Sequence, residues 1–429
     1  MPARFGLSVF HARGGLAACQ VRARQVHPSQ SPADTARQLR LSTPAFIVNL
    51  STVLAKVGAW GHLLPRVRPY YAYKCNNDPV LCAILQQAGA GFDCASLPEI
   101  QQCLALGATS ADLIYANTQK DPGMLAAAAE LRVPVTTVDT ADEVRKIRQH
   151  APSMRVLLRI AVDDTGAVCR FSSKFGAHKQ EWPEIMATAR ACGVHLAGVS
   201  FHAGSGASGP VAFFDAIEQA RAAFDVGAAY GFAFDTLDIG GGFPGNDRGT
   251  FAFADIATAV TLGLETHFPD PAVEVVAEPG RFFVEESHVY ALQVIGVREL
   301  RAEQLRDAAS IELRDAASVE VQAPPGQRAL FVNDGLYGCL NNVVFDHHKL
   351  ELAGVVSEHA SAPAVRTKLF GPTCDSIDVV HSGMPLPPLV VGDTVLLRDM
   401  GAYTRSAASR FNGFGGYQFE YVVDTAERP

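Results

Sequence analysis

Lys74 stands at the end of an apolar, aromatic segment that reads YAYKCN. An amine surrounded by aromatic side chains loses hydration, which lowers its pKa and makes it available as a nucleophile for Schiff-base chemistry. A lysine in such a position is more often an ordinary solvated residue. A chemical role for Lys74 therefore depends on which other residues lie beside it.

Three consecutive glycines, Gly240, Gly241 and Gly242, begin a second segment, which reads GGGFPG. This segment formally satisfies the GxGxxG pattern of dinucleotide-binding loops, and Glu265 follows at the distance of a ribose-binding acid. However, Glu265 falls in a helical pattern and the segment does not open a βαβ unit, so the dinucleotide interpretation is weak. The backbone N–H groups of such a loop can still hold a single phosphate group.

A third segment offers Glu278 and Arg281, a carboxylate and a guanidinium three residues apart. Arg281 can bind phosphate oxygens through two parallel hydrogen bonds. In the segment SFHAGSG, Ser205 adds a hydroxyl group, and His202 could lie flat against a planar ligand or act only as a structural hydrogen-bonding group. With Lys74, these residues have one economical interpretation: pyridoxal phosphate bound to Lys74 as a Schiff base, with its phosphate in the glycine segment and Glu278 facing the pyridine nitrogen.

The acid at position 278 also predicts the type of reaction. A carboxylate beside the pyridine nitrogen keeps that nitrogen protonated, and a protonated ring accepts the electron pair that is released when a bond at Cα breaks. An arginine in the same place would weaken this electron sink. Glu278 therefore favours decarboxylation over racemisation.

Acidic and thiol side chains form a second group of candidates towards the C-terminus. Asp346 lies in the segment FDHH and Asp375 in the segment GPTCDS, and these two carboxylates could bind a distal ammonium group of the substrate. Cys374 carries an exchangeable proton that could be transferred to a carbanion. The pair His347 and His348 is followed by no third ligand at a useful spacing, so we predict no metal site.

The order of the predicted elements indicates what positions these residues. From about residue 45 to 290, short β-rich segments alternate with alanine- and leucine-rich helical segments, as β/α units do. The polar candidates fall at or just past the ends of the strands, which favours a closed (β/α)8 barrel of the TIM type over the alternative, a doubly wound open sheet. The expected strands are 69–74, 91–95, 113–116, 133–138, 155–161, 196–202, 236–241 and 273–278.

A change of pattern after about residue 290 predicts a second, mainly antiparallel β domain. The tandem octapeptide LRDAASIE-LRDAASVE is typical of a flexible surface insertion. We predict three parts: an N-terminal tail with the opening strand or strands of the β domain at 1–44, the barrel at 45–290, and the β domain at 291–429. The β domain is predicted to have strands at 329–332, 390–398 and 418–423 and the insertion at about 301–326.

Composition excludes several functional classes. The 429 residues are 48% hydrophobic and 19% charged, which excludes a disordered chain, and a net charge of −8 argues against nucleic-acid binding. No apolar run approaches the roughly 18 residues of a membrane span, and nine scattered cysteines without a CxxC pair predict a reducing compartment, the cytoplasm. The residues before Asp34 contain no acid and four arginines, a pattern of an organellar transit peptide or of an opening strand with a loose tail.

Nine segments together resemble the eukaryotic ornithine decarboxylases, a family of fold-type III pyridoxal phosphate enzymes. The resemblance runs from about Pro44 to Val423 and implies decarboxylation of L-ornithine to putrescine, the first step of polyamine biosynthesis. It also implies an obligate head-to-tail homodimer with both active sites at the subunit interface. The segments are YAYKCN, GFDCAS, VSFHAGSG, LDIGGGFPG, AEPGRFF, VNDGLYG, GPTCDS, DMGAYT and FNGF.

The resemblance also implies a role for each candidate residue. Lys74 would carry the cofactor, His202 would stack on its ring, Glu278 would pair with the ring nitrogen, and Cys374 of the other subunit would protonate Cα. The substrate's δ-amine would be bound by Asp346 and Asp375, beside Phe345. The phosphate would be held by Ser205, Gly242, Gly280, Arg281 and Tyr403, and the cofactor site would be completed by Gly240, Gly241, Pro279, Asp93, Glu99 and Arg159.

Departures from the family pattern leave alternatives open. Phe345 replaces the usual tyrosine of the YDH segment, so a preference for lysine or arginine as substrate is the second hypothesis. Residues 121–132 are alanine-rich and poor in lysine, which makes control by antizyme doubtful. A catalytically silent regulator, similar to the antizyme inhibitors, is the alternative from another class. Such proteins lose cofactor-binding residues, and none of those positions is lost in this chain.

Overall fold

The computed structural model describes residues 7–10, 21–39, 43–206, 209–300 and 328–425. The predicted insertion with its tandem octapeptide, and much of the predicted targeting segment, lie outside these residues. The chain divides into two compact units. We call them the barrel unit, which contains Leu50–Glu286, and the sheet unit, which contains the described residues of Ala23–Asn49 and Ser287–Pro429.

The first described elements belong to the N-terminal part of the chain. They are strands β1 (Leu7–Phe10) and β2 (Val21–Val26), helix α1 (Pro32–Leu39) and strand β3 (Ala45–Asn49). In the sheet unit, β2 and β3 take part in one large sheet.

Eight parallel strands close into a barrel in the barrel unit, which confirms the predicted fold class. Each strand is short and largely buried, as strands covered on both faces are. In chain order the strands are β4 (Val67–Ala72), β5 (Gly91–Cys94), β6 (Leu113–Tyr115), β7 (Val135–Val138), β8 (Arg155–Arg159), β9 (Leu196–Ser200), β10 (Thr236–Asp238) and β11 (Glu274–Ala277). Every predicted barrel strand is present, and β10 pairs with both β9 and β11, while β11 pairs with β4 to close the ring.

Helices surround these strands, and capping residues in the sequence mark where the helices begin. Asp78 accepts a hydrogen bond from the Val80 backbone N–H at 2.8 Å, and Pro79 occupies the first turn. Ser96 caps the next helix in the same way. The helices are α2 (Leu50–Leu63), α3 (Pro79–Gln87), α4 (Leu97–Ala105), α5 (Pro122–Glu130), α6 (Ala141–His150), α7 (Trp182–Cys192), α8 (Pro210–Ala229), α9 (Phe253–His267) and α10 (Arg281–Val284).

An aromatic cluster anchors the glycine segment to the barrel wall. Phe243, within GGGFPG, is buried and lies 4.9 Å, between ring centroids, from both Trp60 and Phe213. Phe253 and Phe282 extend the cluster, with their centroids 4.1 Å apart. Burying one such ring contributes roughly 1.5–3 kcal/mol, so the loop after β10 is fixed by its own phenylalanine.

A ten-stranded mixed sheet consists of β1, β2, β3 and the seven later strands of the sheet unit. The remaining elements of the sheet unit are β12 (His288–Glu299), β13 (Arg328–Val332), α11 (Asn342–Phe345), β14 (Glu351–Val356), β15 (Val365–Phe370), β16 (Val379–Leu386), β17 (Thr394–Arg398) and β18 (Gln418–Asp424). Antiparallel pairs predominate, but β13 pairs with β15, and β18 with β2 and β3, in parallel.

Two sequence-based boundaries differ from the structure. β3 belongs to the sheet unit and not to the barrel, because it pairs with β12 and β18, and the sheet unit resumes at Ser287. The predicted strand 390–398 is shorter, because the Asp393 side chain accepts a hydrogen bond from the Val390 N–H and closes a turn before β17. Among the described helices, none combines the length and the apolar character that crossing a bilayer requires.

Candidate active site

The Lys74 amine is held by a buried carboxylate at the mouth of the barrel. β4 pairs in parallel with β5, so the residues that follow β4 lie beside the end of β5. The Nζ of Lys74 donates to Oδ2 of Asp93 at 2.5 Å. The Asp93 side chain is fully buried, whereas the Lys74 side chain is 44% exposed. The amine is therefore fixed on one side and accessible to a ligand on the other.

Carboxyl groups outnumber cations at this end of the barrel. Asp238 ends β10 and Glu278 follows β11. Burial raises the pKa of Asp238 to about 7, and burial with the nearby charges of Asp238 and Asp93 raises the pKa of Glu278 well above its ordinary value. Lys74 and Arg159 counteract the rise in the Glu278 pKa only in part. A further cation placed between these acids would be stabilised by their charge.

Glu99 and Arg159 support this region from two sides. The Glu99 side chain accepts a hydrogen bond from the Ala95 N–H at 2.6 Å, at the start of α4, and burial raises its pKa. The Arg159 guanidinium lies over the ring of Phe175, 5.1 Å from its centroid. The side chains of Glu99 and Arg159 therefore have fixed positions at the barrel mouth.

His202 is a neutral ring in a defined orientation. Its Nδ1 accepts a hydrogen bond from the Gly204 backbone N–H at 3.0 Å, so the proton of the neutral ring lies on Nε2. Burial, together with the charges of Arg159 and Lys74, holds the pKa of His202 well below its ordinary value. The ring also meets Phe171 edge to face, with centroids 4.9 Å apart. One ring nitrogen is thus occupied by a structural hydrogen bond, and the face of the ring has a fixed orientation.

The glycine segment has no room for side chains. Gly240 and Gly242 have φ angles of +63° and +108°. A Cβ on Gly240 would lie 2.1 Å from the Phe201 carbonyl oxygen, and one on Gly242 would lie 2.4 Å from the Gly204 carbonyl oxygen. A Cβ on Gly241 between them would lie 2.7 Å from the Glu278 carbonyl oxygen. The segment therefore presents backbone, and not side chains, to anything bound next to it.

The neighbouring loops provide groups that suit a phosphate. Arg281 donates to the Ser205 hydroxyl at 3.3 Å, which joins the loop after β9 to the one after β11. The carbonyl of Pro279 accepts a hydrogen bond from the last residue of β4, and Gly280 packs directly against that region. Glu265 lies within α9 and not at a strand end, which excludes it from the ribose-binding place of a dinucleotide site.

In the sheet unit, Cys374 and Asp375 lie on one exposed loop beside a pocket of about 350 Å³. Cys374 is exposed, and its backbone N–H donates to the Asn412 side chain at 3.2 Å. The Oδ2 of Asp375 accepts a hydrogen bond from the Tyr337 hydroxyl at 2.6 Å. Arg298 and Lys368 also line this pocket.

A buried carboxylate, Asp378, fastens the loop of Cys374 to the loop of Tyr337. Its Oδ1 accepts from the Leu336 N–H at 2.8 Å, and its Oδ2 accepts from the Thr373 hydroxyl at 2.7 Å. Each loop also contains a glycine that lies so close to this carboxylate that a Cβ on the glycine would clash with it. The two loops therefore move as one piece.

The other sheet-unit candidates lie apart from that pocket. Asp346 is buried just after α11, and Phe345 before it is 74% exposed. Tyr403 lies in the loop after β17 and has a φ of +54°, a strained conformation for a residue with a side chain. Within the part of the chain that the structure describes, no cluster of three or more histidine, cysteine or acidic residues could hold a metal ion.

Three residues of these sites were not found by sequence reasoning. Asp238 precedes the glycine segment directly, and its place at the end of a predicted strand was a usable signal. Tyr337 lies in the segment VNDGLYG, but no local pattern connects it or Asp378 to this pocket, because their contacts join loops that are 38 and 42 residues apart.

The sequence model for the pyridoxal-binding domain of pyridoxal-dependent decarboxylases matches residues 50–285, almost the whole barrel unit. The chain belongs to the pyridoxal-dependent decarboxylases. Among its relatives, the ornithine decarboxylase of Schizosaccharomyces pombe is 40% identical over 88% of this chain and 83% of that protein. Antizyme inhibitor 2 of Xenopus laevis is 36% identical over 89% and 81%. Of the solved structures, the Paramecium bursaria Chlorella virus arginine decarboxylase bound to agmatine is 31% identical, with a TM-score of 0.82 over 91% of this chain and all of that one.

This decarboxylase uses pyridoxal phosphate, which confirms the predicted cofactor. The barrel mouth fits that group on three counts. The excess of buried acids around Glu278 suits a cationic ring nitrogen. The confined glycine segment with Arg281 suits a phosphate, and the accessible amine of Lys74 suits covalent attachment.

Proposed function

We propose that this decarboxylase converts L-ornithine to putrescine and carbon dioxide. The observation that carries the proposal is that one chain combines a barrel mouth suited to pyridoxal phosphate with an exposed thiol, Cys374, and a carboxylate, Asp375, on a single loop. The 40% identity with an ornithine decarboxylase over most of both chains supports the choice of substrate.

In the barrel unit, Lys74 would hold the cofactor covalently, and Asp93 binds the amine of Lys74. When bound, pyridoxal phosphate supplies an electron sink for the pair released as the bond between Cα and the carboxylate breaks. Glu278 would keep a proton on the ring nitrogen, and the neutral ring of His202 would pack against the cofactor without adding a charge. The phosphate group would be held in the barrel unit by Ser205, Gly240, Gly241, Gly242, Pro279, Gly280 and Arg281.

The distal ammonium group of the substrate is bound by two carboxylates of the sheet unit, Asp346 of one subunit and Asp375 of the partner subunit. Cys374 is exposed and adjacent to Asp375, so the thiol of Cys374 can return a proton to Cα after carbon dioxide leaves. Phe345 offers no hydroxyl group to the substrate. Recognition of the distal amine therefore depends on the two carboxylates.

A homodimer with shared sites accounts for the surface of the sheet unit. Large apolar side chains are exposed near the loop of Cys374, including Ile377 at 58% and Phe411 at 43%. Among the described residues, Phe345 is the most exposed large hydrophobic side chain, at 74%. Ile377 and Phe411 lie on adjoining loops, and adjoining exposed apolar groups are typical of protein interfaces. We propose that a second copy covers them, so that Cys374 of one subunit serves the cofactor of the other.

The free thiols of this protein fit a reducing compartment. Cys94 and Cys103 approach to 3.6 Å between their sulfur atoms and are both free. Together with the polar chemistry of a free diamino acid as substrate, this supports a place in the cytoplasm.

Two alternatives predict different results. A lysine or arginine decarboxylase would need a longer space beyond Cα, and the similarity to the viral arginine decarboxylase is one of fold at 31% identity. A silent regulator would have lost cofactor contacts, whereas Lys74, Glu278 and Arg281 are all present and in contact with the expected neighbours. Decarboxylation of ornithine remains the function that the site favours.

A competition among ornithine, lysine and arginine tests this function. We expect kcat/KM for ornithine to exceed that for lysine by at least about tenfold, since an extra methylene that fits poorly costs roughly 1–3 kcal/mol. Carbon dioxide release from each purified amino acid measures the ratio. A preference of tenfold or more for lysine would contradict the proposal, and no turnover of any of the three would favour the silent regulator.

Gly242→Ala tests the proposed phosphate cradle. A Cβ at this position would lie 2.4 Å from the Gly204 carbonyl, and a φ of +108° is strained for alanine. A strain of about 1–2 kcal/mol predicts that pyridoxal phosphate binds roughly tenfold more weakly, as measured by titrating the cofactor-free protein. Gly249→Ala is the matched control, because no atom lies within 4 Å of the Cβ there and binding should not change. Equal affinity in the two variants would remove the segment from the cofactor site.

A further inference from the structure

Tyr337 is held in place from three directions. Its hydroxyl donates to Oδ2 of Asp375 at 2.6 Å, and its ring stacks on that of Phe411 with centroids 4.3 Å apart. Its backbone carbonyl accepts hydrogen bonds from both the N–H and the hydroxyl of Ser409, at 2.8 and 2.9 Å. A side chain fixed at its backbone, ring and hydroxyl can impose its position on a partner.

That partner is a partly exposed carboxylate, which would otherwise be able to rotate. The Ile377 N–H donates to Oδ1 of Asp375 at 3.1 Å, while Tyr337 donates to Oδ2. One donor on each oxygen sets the plane of the carboxylate and leaves the remaining lone pairs facing outwards. The direction in which Asp375 can accept a hydrogen bond from a ligand is thus determined by Tyr337.

We propose that Tyr337 is a positioning residue for recognition of the distal amine, which orients the Asp375 carboxylate without touching the reacting atoms. This inference rests on the proposed binding of the ornithine δ-ammonium by Asp375. It predicts that loss of the Tyr337 hydroxyl weakens binding of the diamino acid while the chemistry at Cα proceeds as before.

The electrostatics of the pocket give the proposal a pH signature. The Tyr337 hydrogen bond and then the Ile377 N–H hold the pKa of Asp375 below its ordinary value. The other charged or titratable groups that face this pocket are Arg298, Lys368, Cys374 and Asp378. A carboxylate with a depressed pKa remains ionised to lower pH, so removal of the hydroxyl raises its pKa. The acid limb of kcat/KM for ornithine should then move to higher pH.

Tyr337→Phe removes the hydroxyl and keeps the ring that stacks on Phe411. We expect the KM for ornithine to rise about tenfold, the scale of a hydrogen bond to a charged group, with kcat within about twofold of the unchanged enzyme. Tyr417→Phe removes a hydroxyl elsewhere in the sheet unit and should change neither constant. Product binding gives an independent readout: calorimetry should show weaker binding of putrescine to the holoenzyme of the Tyr337→Phe variant, with no change for 1-aminobutane, which lacks the second amine.

Asp375→Asn separates positioning from a general structural effect. If Tyr337 acts through Asp375, adding Tyr337→Phe to Asp375→Asn should cause little further loss, because the two changes remove the same interaction. Full additivity, an unchanged KM in Tyr337→Phe, or an equal loss of putrescine and 1-aminobutane binding would overturn the inference. Failure of the unchanged enzyme to decarboxylate ornithine would instead overturn the proposed function, so the two failures are distinguishable.

Discussion

Replacing Lys74 with alanine should abolish decarboxylation, with kcat falling by roughly 10⁴-fold, the scale seen when one member of a cooperating catalytic set is removed. Lys74 is the amine at the barrel mouth that is both held by a buried carboxylate and accessible to a ligand. The long-wavelength absorbance of covalently bound cofactor should disappear with the activity. Steady-state assays and an absorbance spectrum of the same sample measure both effects.

Lys179→Ala provides the control, because Lys179 is an exposed lysine of the barrel unit. It should retain both the absorbance and the activity. Survival of the long-wavelength band in Lys74→Ala would show that another amine carries the cofactor. Loss of the band without loss of activity would remove covalent attachment from the mechanism.

Mixing two inactive variants should restore activity if each site takes residues from both subunits. Lys74→Ala lacks the amine of the barrel unit, and Cys374→Ala lacks the thiol of the sheet unit. In a mixed dimer, one site would carry both substitutions and the other would carry neither. With equal mixing and free exchange, about a quarter of the wild-type activity should return, since half of the dimers are mixed and each has one intact site.

A mixture of two chains that carry the same substitution serves as the control for this experiment. Lys74→Ala mixed with a second, tagged Lys74→Ala chain should remain inactive, and the tag reports how far the subunits have exchanged. Exchange without recovered activity would indicate that each site lies within one chain. In that case the proposed interface would lose its support, while the assignment of Lys74 would stand.

The barrel could be predicted from sequence because its strands are covered on both faces. Such strands occur as short apolar runs between helical segments, and the polar residues at their ends stand out against that background. Lys74 and Glu278 were recognisable for this reason, and both lie where the strands of a closed barrel end.

The sheet unit was less predictable because its pairing depends on distant segments. β3 pairs with β18 across more than 370 residues, so nothing in the local pattern assigned residues 45–49 to this sheet. The contacts of Asp378 and Tyr337 have the same origin. From the sequence alone, an aspartate that is buried among backbone N–H groups in the fold cannot be distinguished from a solvated aspartate in a loop.

The residues that we propose for the diamine lie in the sheet unit, whereas those that we propose for the cofactor lie, apart from Tyr403, in the barrel unit. Mutations in the loops of Tyr337 and Cys374 can therefore be sampled during evolution without disturbing the amine, glycines and acids of the barrel. Such a division lets one ancestral catalyst give rise to descendants that act on amino acids of different length. If the sheet unit of one such descendant is replaced by that of another, the chimera should show the substrate preference of the protein that donated the sheet unit.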